Sequence, residues 1–577
     1  MRIVSGLLAL LLGLAALLGG IGLQTIWTPP LTLTAEVGDD PTEAPLTVIT
    51  GEFAEIDEDP VEYTLTGDGD YTVMLGRERD IQAWIGDAAH NTVKGIQTDV
   101  PEGEQPHVIV EHAEGEMTVP NPVDSDLWIE THEASGTLEQ RWTLPEEDQT
   151  ALLIAVDGTA PAPTDVTVTW TNRVGDSPWI VPLLVIGPLL ILIGLGLLLW
   201  AWLRSRRGGR PAATQAADPG QSGRAGATSD KQSSSTARRM GAGAAVGVLV
   251  LGSSVLAPAT ASPSPESASP SSGDQTEEFI PVVVDQQLER ILGMVAGGMS
   301  RGDEARDAEA LTTRIGGSAR TMRELHYRNK GFDDSLVGPA PIAASPILAA
   351  AATEAPGFPR SIIAVTEGEQ NETPQVLLMQ QNGPRQQYQA RFAVPMTPGS
   401  DLSGMQLDQP GVEILELDQA EGLAMSPQQA VDGTAAVLTD SDHTFKDKLV
   451  SNSYVQAIQD YQENLSRTAR DATIRLNRSV ATDQSQAIRL PDGSALVFAN
   501  VFANVNSSPK ERGGTVIASE LAQKVAGESS NETTTALYMR FYETMVIHIP
   551  RESATGEDAR VSLIGFEDEL YRVSYGD

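Results

Sequence analysis

Residues 179–203 form an apolar run of 25 residues without a single charged side chain. About 20 apolar residues in a helix are enough to cross the hydrocarbon core of a bilayer. Tryptophans lie at both ends of the run, where amphipathic rings meet lipid headgroups, and the basic sequence RSRRGGR follows directly. We therefore predict a transmembrane helix over 179–203 whose C-terminal end faces the cytoplasm.

A second apolar run, residues 3–26, lies near the N-terminus. Its length favours a retained transmembrane helix over residues 3–27, with Trp27 at the headgroup level. The alternative is a cleavable signal peptide with Arg2 as its charged end. The sequence LLGGIGLQTIWTPP lacks a well-formed small-x-small cleavage site, so the retained anchor is the favoured interpretation.

A third, weaker apolar segment occupies residues 240–261 and consists mainly of Ala, Gly and Val after two arginines. Its short core resembles that of a signal peptide, and we predict a transmembrane or internal signal-like helix that returns the chain to the outside. Ala259 and Ala261 precede Ser262 in the small-x-small pattern that a signal peptidase accepts. Two outcomes stay open, namely cleavage after Ala261 and retention of the segment as an anchor.

Charge is distributed in blocks along the chain, whose net charge is −39. Residues 28–178 carry 32 acidic and 5 basic side chains, residues 204–239 carry 2 and 8, and residues 262–577 carry 44 and 25. The positive-inside rule predicts that the basic block is cytoplasmic and the acidic blocks lie outside. The negative total argues against nucleic acid and anionic membrane surfaces as ligands.

Two polar segments are predicted to connect these blocks. Residues 204–239 are rich in Gly, Ala, Ser and Gln and contain little that a core could bury, so we expect a disordered cytoplasmic linker. Residues 262–277 are rich in Pro and Ser and are expected to form an extended linker outside the membrane.

Residues 28–178 have the sequence pattern of an all-β sandwich. The runs LTLTAEV, VEYTLTG, HVIVEH and DVTVTWTN alternate apolar and polar residues, and Gly, Pro, Asp and Asn separate them. Both ends of this domain adjoin predicted transmembrane helices and must reach the same membrane face. We therefore predict that residues 31–37 pair with residues 166–171.

From residue 278 the sequence predicts an α+β ectodomain built from two similar modules, 278–420 and 421–577. Apolar residues at helical spacing are followed by strand-like alternation, and this order occurs twice. Asn382 and Gly383 predict a tight turn between two strands of the first module. Ser426 and Gln429 predict a capping box that begins a helix of the second module.

The sequence TTTALYMRFYETMVIHIP at residues 533–550 predicts a long strand. Helices followed by such long strands resemble nuclear-transport-factor-2-like or cystatin-like α+β rolls. The layout and the cysteine-free, Ala/Gly-rich composition are similar to uncharacterised membrane-anchored cell-envelope proteins of Actinobacteria. The resemblance implies a fold and an envelope setting, and it transfers no active-site residue.

No motif in the sequence predicts a catalytic, cofactor or metal site. The chain has no cysteine, so disulfides, thiolate catalysis and thiol-ligated metals are excluded within it. Ser300 in GMSRG follows helical spacing, whereas a nucleophile elbow requires a preceding strand. Ser507 begins an S-x-x-K match that lies in a turn and lacks its companion motifs. The acidic sequences EIDEDP and DSD (124–126) do not match a calcium loop.

Four polar or aromatic residues share one face of the long strand near residue 540, namely Tyr538, Arg540, Tyr542 and His548. If the sheet curves around a pocket, this face is a candidate to contact an apolar or polyol ligand. The alternative is an ordinary mixed sheet face covered by a helix or by the neighbouring module.

These observations favour a non-catalytic, multi-pass plasma-membrane protein that presents two acidic ectodomains, with its C-terminal domain outside. Such a protein would bind or scaffold envelope components, whether proteins, glycan or lipid. One alternative is an enzyme that acts on envelope glycan or lipid through the C-terminal roll. A carboxylate or histidine with a perturbed pKa in a pocket would favour this alternative. Another is an accessory subunit of a membrane transporter.

Overall fold

The computed structural model describes most of the chain outside one long internal segment. The residues described are 2–27, 32–38, 41–51, 61–97, 106–142, 150–171, 178–206, 282–354, 357–402, 405–407, 409 and 411–576. Several sequence predictions lie outside them: the third apolar segment (240–261) with Ala259, Ala261 and Ser262, the linker 262–277, nearly all of the linker 204–239, and the EIDEDP sequence.

The described chain contains eight α-helices and nineteen strands. The helices are α1 (Arg2–Thr25), α2 (Glu78–Ile85), α3 (Ile180–Arg206), α4 (Asp285–Ala305), α5 (Gly317–Lys330), α6 (Pro427–Thr439), α7 (Ser453–Thr468) and α8 (Glu520–Ala526). The first eight strands are β1 (Thr32–Val37), β2 (Leu46–Ile49), β3 (Val61–Arg77), β4 (His90–Gln97), β5 (His107–Ala113), β6 (Glu130–Trp142), β7 (Thr150–Ala155) and β8 (Asp165–Thr171). The others are β9 (Ile347–Ala352), β10 (Arg360–Thr366), β11 (Gln375–Gln381), β12 (Gln389–Pro395), β13 (Glu413–Leu415), β14 (Ala472–Arg489), β15 (Ala495–Pro509), β16 (Val516–Ile517), β17 (Glu532–Thr533), β18 (Leu537–Ile549) and β19 (Ser562–Tyr575).

The chain divides into two compact units. One comprises Met1–Pro29 with Val174–Glu277, and the other comprises Pro30–Arg173 with Glu278–Asp577. The second unit therefore joins residues 30–173 to the region that begins at residue 278. The sequence predicts two separate ectodomains for these regions.

In the first unit, α1 and α3 are long and apolar enough to cross a membrane. The two helices pack closely along glycines. A Cβ added at Gly13 would lie 2.7 Å from the carbonyl oxygen of Gly187, and one added at Gly194 would lie 2.8 Å from the carbonyl oxygen of Gly6. These contacts show that the helices are antiparallel. Small residues at a helix contact let the backbones approach, as in many membrane helix pairs.

Residues 32–171 form one eight-stranded sheet in the order β6-β3-β7-β2-β4-β5-β1-β8, and β8 also pairs with β3. The sheet thus closes into a barrel. The predicted pairing of 31–37 with 166–171 is confirmed, since Thr32 lies opposite Thr171 and Ala35 opposite Val168 in antiparallel register.

The barrel replaces the predicted sandwich because β3 is long and bends. Its first half pairs with β8, whereas its second half pairs with β7 along the same edge. The register of β3 shifts between Thr66 and Asp70, and Gly69 has a φ of +101° that an L side chain rarely adopts. The alternation of inward and outward residues is the same in a sandwich and in a small barrel, so the pattern alone does not distinguish them.

The C-terminal part of the second unit is built in four layers. Helix α4 packs on the sheet β12-β11-β10-β9, and α6 packs on the sheet β13-β14-β15-β18-β19. The opposite faces of the two sheets share one core that includes Phe392 and Phe498, whose ring centroids lie 5.3 Å apart. Each sheet is therefore apolar on both faces.

Local sequence signals agree with these elements. The Ser426 side chain accepts a hydrogen bond from the Gln429 backbone N–H, and the Gln429 side chain accepts one from the Ser426 N–H, which confirms the capping box. Asn382 and Gly383 lie in the connection between the antiparallel strands β11 and β12, as predicted, but this connection spans residues 382–388 and is longer than a tight turn.

The helix pair yields a direct test because the chain has no cysteine of its own. A Cβ at Gly20 would lie 3.1 Å from the Leu183 Cβ, near the separation of about 3.8 Å typical of disulfides, and its nearest neighbours are side-chain atoms rather than backbone. We expect oxidation to consume both thiols of a Gly20→Cys/Leu183→Cys variant. A Cβ at Gly19 meets no atom within 4 Å, so Gly19→Cys/Leu183→Cys is the control. Counting free thiols with a polymer-linked maleimide after denaturation measures the result, and equal protection in both variants would contradict the helix packing.

Candidate functional site

A buried ion pair joins the barrel to the first C-terminal sheet. The Asp126 carboxylate lies directly against the Arg314 guanidinium, and the two side chains are 0% and 5% exposed. The same Asp126 oxygen accepts a hydrogen bond of 2.7 Å from the Tyr388 backbone N–H. Asp126, which the sequence analysis considered and rejected as part of a calcium loop, thus neutralises a buried arginine.

A second buried pair lies at the start of α2. The Asp80 carboxylate binds the Arg360 guanidinium, and both side chains are 1% exposed. Arg77 lies 3.9 Å from Asp80 and donates a hydrogen bond of 3.0 Å to the backbone oxygen of Val282. Charges this deeply buried are tolerated only when they are paired and hydrogen-bonded.

Further arginine and glutamine side chains of the C-terminal part bind backbone oxygens of the barrel domain. Gln287 donates to the oxygens of Asp126 and Leu127, and Arg385 donates to the last carbonyls of α2, at Trp84 and Ile85. Positive side chains at a helix C-terminus satisfy its free carbonyls and complement its dipole. The barrel and the C-terminal sheets are thus held as one body.

A pocket of this body lies between α7 and the sheet of β14, β15, β18 and β19, and we call it the α7 pocket. It has a volume of about 450 Å³. Its walls are mainly apolar and include Ile458, Leu476, Val505, Met539, Phe541 and Phe566. Tyr461 of α7 lines the opening and is 67% exposed. Pockets of this size and polarity hold small organic ligands in many proteins.

Three charged groups line the same pocket. The Arg478 guanidinium donates to both carboxylate oxygens of Glu543, at 2.8 and 2.9 Å, and to the Leu438 carbonyl oxygen. Asp568 lies directly opposite Glu543 in the ladder between β18 and β19, so the two carboxylates face the same side of the sheet. No hydrogen bond or ion pair engages the Asp568 carboxylate among the residues that the structure describes.

The surroundings of Asp568 disfavour its ionised form. Desolvation by the pocket walls, with a further contribution from the charges of Glu543 and Glu569, raises the pKa of Asp568 to about 6, although Arg478 opposes this shift. The pKa of Tyr454, also in the pocket wall, is raised mainly by burial and secondarily by Asp568. Asp568 can therefore change its protonation state near neutral pH.

A second polar cluster lies on the other face of β19, against α5. His326 is 3.2 Å from Glu569, and Arg323 is 3.0 Å from Asp303. Burial raises the pKa of Glu567 to about 7, and Arg323 partly offsets this effect. The cluster fastens α5 to β19, because Asn329 also donates to Glu569 and to the Leu570 carbonyl oxygen.

The four residues predicted on one face of β18 lie away from the α7 pocket. Tyr542 is 2% exposed and packs edge-to-face against Phe502, and the Arg540 guanidinium lies 4.0 Å above the Phe502 ring. Tyr538 is 42% exposed. His548 lines a smaller pocket of about 190 Å³, and burial lowers its pKa. Their contact with a ligand stays a prediction.

The polar residues of the α7 pocket are not among the predicted site residues, yet the alternating pattern of β14 and β18 contains a signal for them. Glu543 interrupts the apolar face of β18, and Arg478 interrupts the apolar face of β14. One acidic and one basic residue on otherwise apolar strand faces indicate a buried pair. The sequence alone does not show which strands are neighbours.

Ser300 and Ser507 lie in ordinary structural surroundings. Ser300 is inside α4, where its hydroxyl donates to Glu304. The prediction that Ser507 lies in a turn is wrong, because β15 extends to Pro509 and Ser507 pairs with Leu537 within the sheet.

A comparison of the chain with models of known protein families finds no match, and comparisons with curated proteins and with solved structures find none either. The resemblance to α+β rolls and to actinobacterial envelope proteins therefore stays a prediction. The site is assigned from its own geometry.

The raised pKa of Glu567 predicts that this residue lowers the stability of the folded protein at high pH. Its folded pKa of about 7 exceeds the usual value of 4.5, so the unfolded chain ionises first and stability falls as pH rises between these values. We expect Glu567→Gln to raise the free energy of unfolding by up to about 3 kcal/mol near pH 8 and to have little effect near pH 4. Denaturant unfolding of the solubilised full-length protein measures this difference.

The control for this prediction is Glu552→Gln, which removes an exposed carboxyl group. If the two variants differ from the wild type by the same amount at every pH, burial of Glu567 does not cause the effect.

Proposed function

We propose that this chain is a non-catalytic, membrane-anchored binding protein that presents a single acidic body outside the plasma membrane. The observation that carries the proposal is the pair of buried contacts Asp126–Arg314 and Asp80–Arg360, because they join two regions that a predicted transmembrane helix separates in the sequence. The ligand would be a component of the cell envelope, and the α7 pocket would receive it.

Membrane topology follows from connectivity. If α1 and α3 both cross the membrane, the barrel between them lies on one side, and Arg206 at the end of α3 lies on the other. Residues 282–576 must then return to the barrel side in order to form the buried ion pairs. An odd number of crossings is needed between residues 207 and 281, and the apolar segment 240–261 is the candidate.

The side on which the body lies is inferred from charge. The basic sequence after 203 would hold that end of α3 in the cytoplasm, so the barrel and the C-terminal sheets would lie outside. This arrangement supports a multi-pass protein with an exterior C-terminal domain.

An enzyme acting on envelope glycan or lipid is the second candidate, and one observation favours it. Asp568 faces a pocket, and burial raises its pKa to about 6, as is common for catalytic acids. The neighbouring Glu543 is engaged by both bonds from Arg478, so a second free carboxylate is not available beside it. Binding is the function that needs no further group.

The topology is tested with single cysteines at Asp68, Ser222 and Asp492 in the cysteine-free chain. Asp68 and Asp492 are exposed, so both cysteines should react with an impermeant maleimide on intact cells. A cysteine at position 222 should react only after the membrane is opened. Labelling of position 222 on intact cells, or protection of position 492, would contradict the proposal.

The joined body predicts what happens when the chain is cut between its two parts. A specific protease site inserted within residues 262–277 should be cleaved from outside in sealed vesicles. The C-terminal fragment should then stay with the membrane pellet in high salt, because buried pairs are screened far less than exposed ones. The same result would follow natural cleavage after Ala261.

The double variant Asp80→Asn/Asp126→Asn removes the carboxylate charges that neutralise the buried Arg360 and Arg314. Loss of one partner of a buried pair costs about 3–5 kcal/mol, so this double variant should release the fragment. Lys94→Gln breaks the exposed pair with Glu111 and should retain it. Release of the wild-type fragment would show that the two parts do not hold each other.

A further inference from the structure

The α7 pocket combines an apolar cavity with more acidic than basic side chains. Its volume of about 450 Å³ suits a molecule with a ring or short chain, and Ile458, Phe541 and Phe566 supply apolar contacts. Two carboxylates and one guanidinium line it. We propose that the pocket binds small amphiphiles carrying a protonated amine, with the ammonium group at Asp568. This inference rests on the proposed binding function.

The Arg478–Glu543 pair does not compete for such a ligand. Both Glu543 oxygens already accept from Arg478, and the remaining terminal nitrogen of Arg478 donates to the Leu438 carbonyl oxygen at 2.6 Å. The two side chains are only 7% and 6% exposed. An anionic ligand therefore finds no free guanidinium, and it would also meet the negative charge of Asp568.

Asp568 is placed to receive a cation. Its side chain lines the pocket and is accessible to solvent through it, although the pocket walls partly desolvate it, and among the described residues it has no hydrogen-bond or ion-pair partner. An ammonium group would supply the missing partner and would stabilise the carboxylate that the surroundings disfavour. The rings of Tyr454 and Phe566, whose centroids lie 5.2 Å apart, offer aromatic faces that attract cations.

The amine preference is tested with three ligands of matched size, namely 4-phenylbutylamine, 4-phenylbutanol and 4-phenylbutyrate. Full-length protein in lipid nanodiscs is titrated by calorimetry, and empty nanodiscs correct for partitioning into lipid. We expect the amine to bind at least about tenfold more tightly than the carboxylate, with the alcohol between them, since a single ion pair in a partly desolvated site supplies about 1.4 kcal/mol or more.

Three variants, one of them a control, test whether the ligands bind in this pocket. Asp568→Asn should abolish the preference for the amine, whereas Asp460→Asn, an equal charge change on the same helix as the pocket wall but outside the pocket, should preserve it. Ala457→Trp places a large ring in the pocket from an exposed position on α7. It should therefore lower the affinity for all three ligands without disturbing a packed core.

The outcomes separate this inference from the proposed function. Equal or tighter binding of the carboxylate, or amine binding unaffected by Asp568→Asn, overturns the ligand class while the pocket remains a binding site. Binding that Ala457→Trp leaves unchanged places the ligand elsewhere and also overturns it. Failure of all three ligands to bind overturns both the ligand class and binding at this pocket, whereas the cysteine labelling tests the topology independently.

Discussion

The buried carboxylates Asp80 and Asp126 are the constraint on which the second unit depends. Each lies in the barrel domain and each meets an arginine from a region at least 188 residues later in the chain. In an interior of low dielectric constant an unpaired charge is too costly to keep, so these aspartates require the C-terminal sheets to be present. The barrel and the sheets are therefore parts of one structure, although the chain leaves the barrel for α3 before it forms them.

Closure of the barrel brings its first and last strands together. Because β1 and β8 pair in antiparallel register, the chain enters and leaves the barrel at the same end. The antiparallel pair α1 and α3 adjoins these two strands in the sequence, and glycines such as Gly13 and Gly187 allow the helices to pack closely.

The α7 pocket shows how charged side chains are accommodated in an apolar sheet face. Arg478 and Glu543 neutralise each other, so they contribute polarity without net charge. Asp568 adds one carboxylate that nothing in the described structure engages, and desolvation, together with the charges of Glu543 and Glu569, raises its pKa. Glu567 follows the same rule on the other face of β19, where α5 covers it.

Local features of this protein were determined by its sequence. Uncharged runs predicted both apolar helices, alternation predicted the long strands, and tethering of the domain ends predicted the pairing of β1 with β8. These features depend on neighbouring residues or on chain connectivity. Only the tertiary structure decided that the β-domain closes as a barrel, that Asp80 and Asp126 receive Arg360 and Arg314, and that Arg478 meets Glu543. Each of these depends on which distant strands lie side by side, and an alternating pattern that is the same for many arrangements does not specify this.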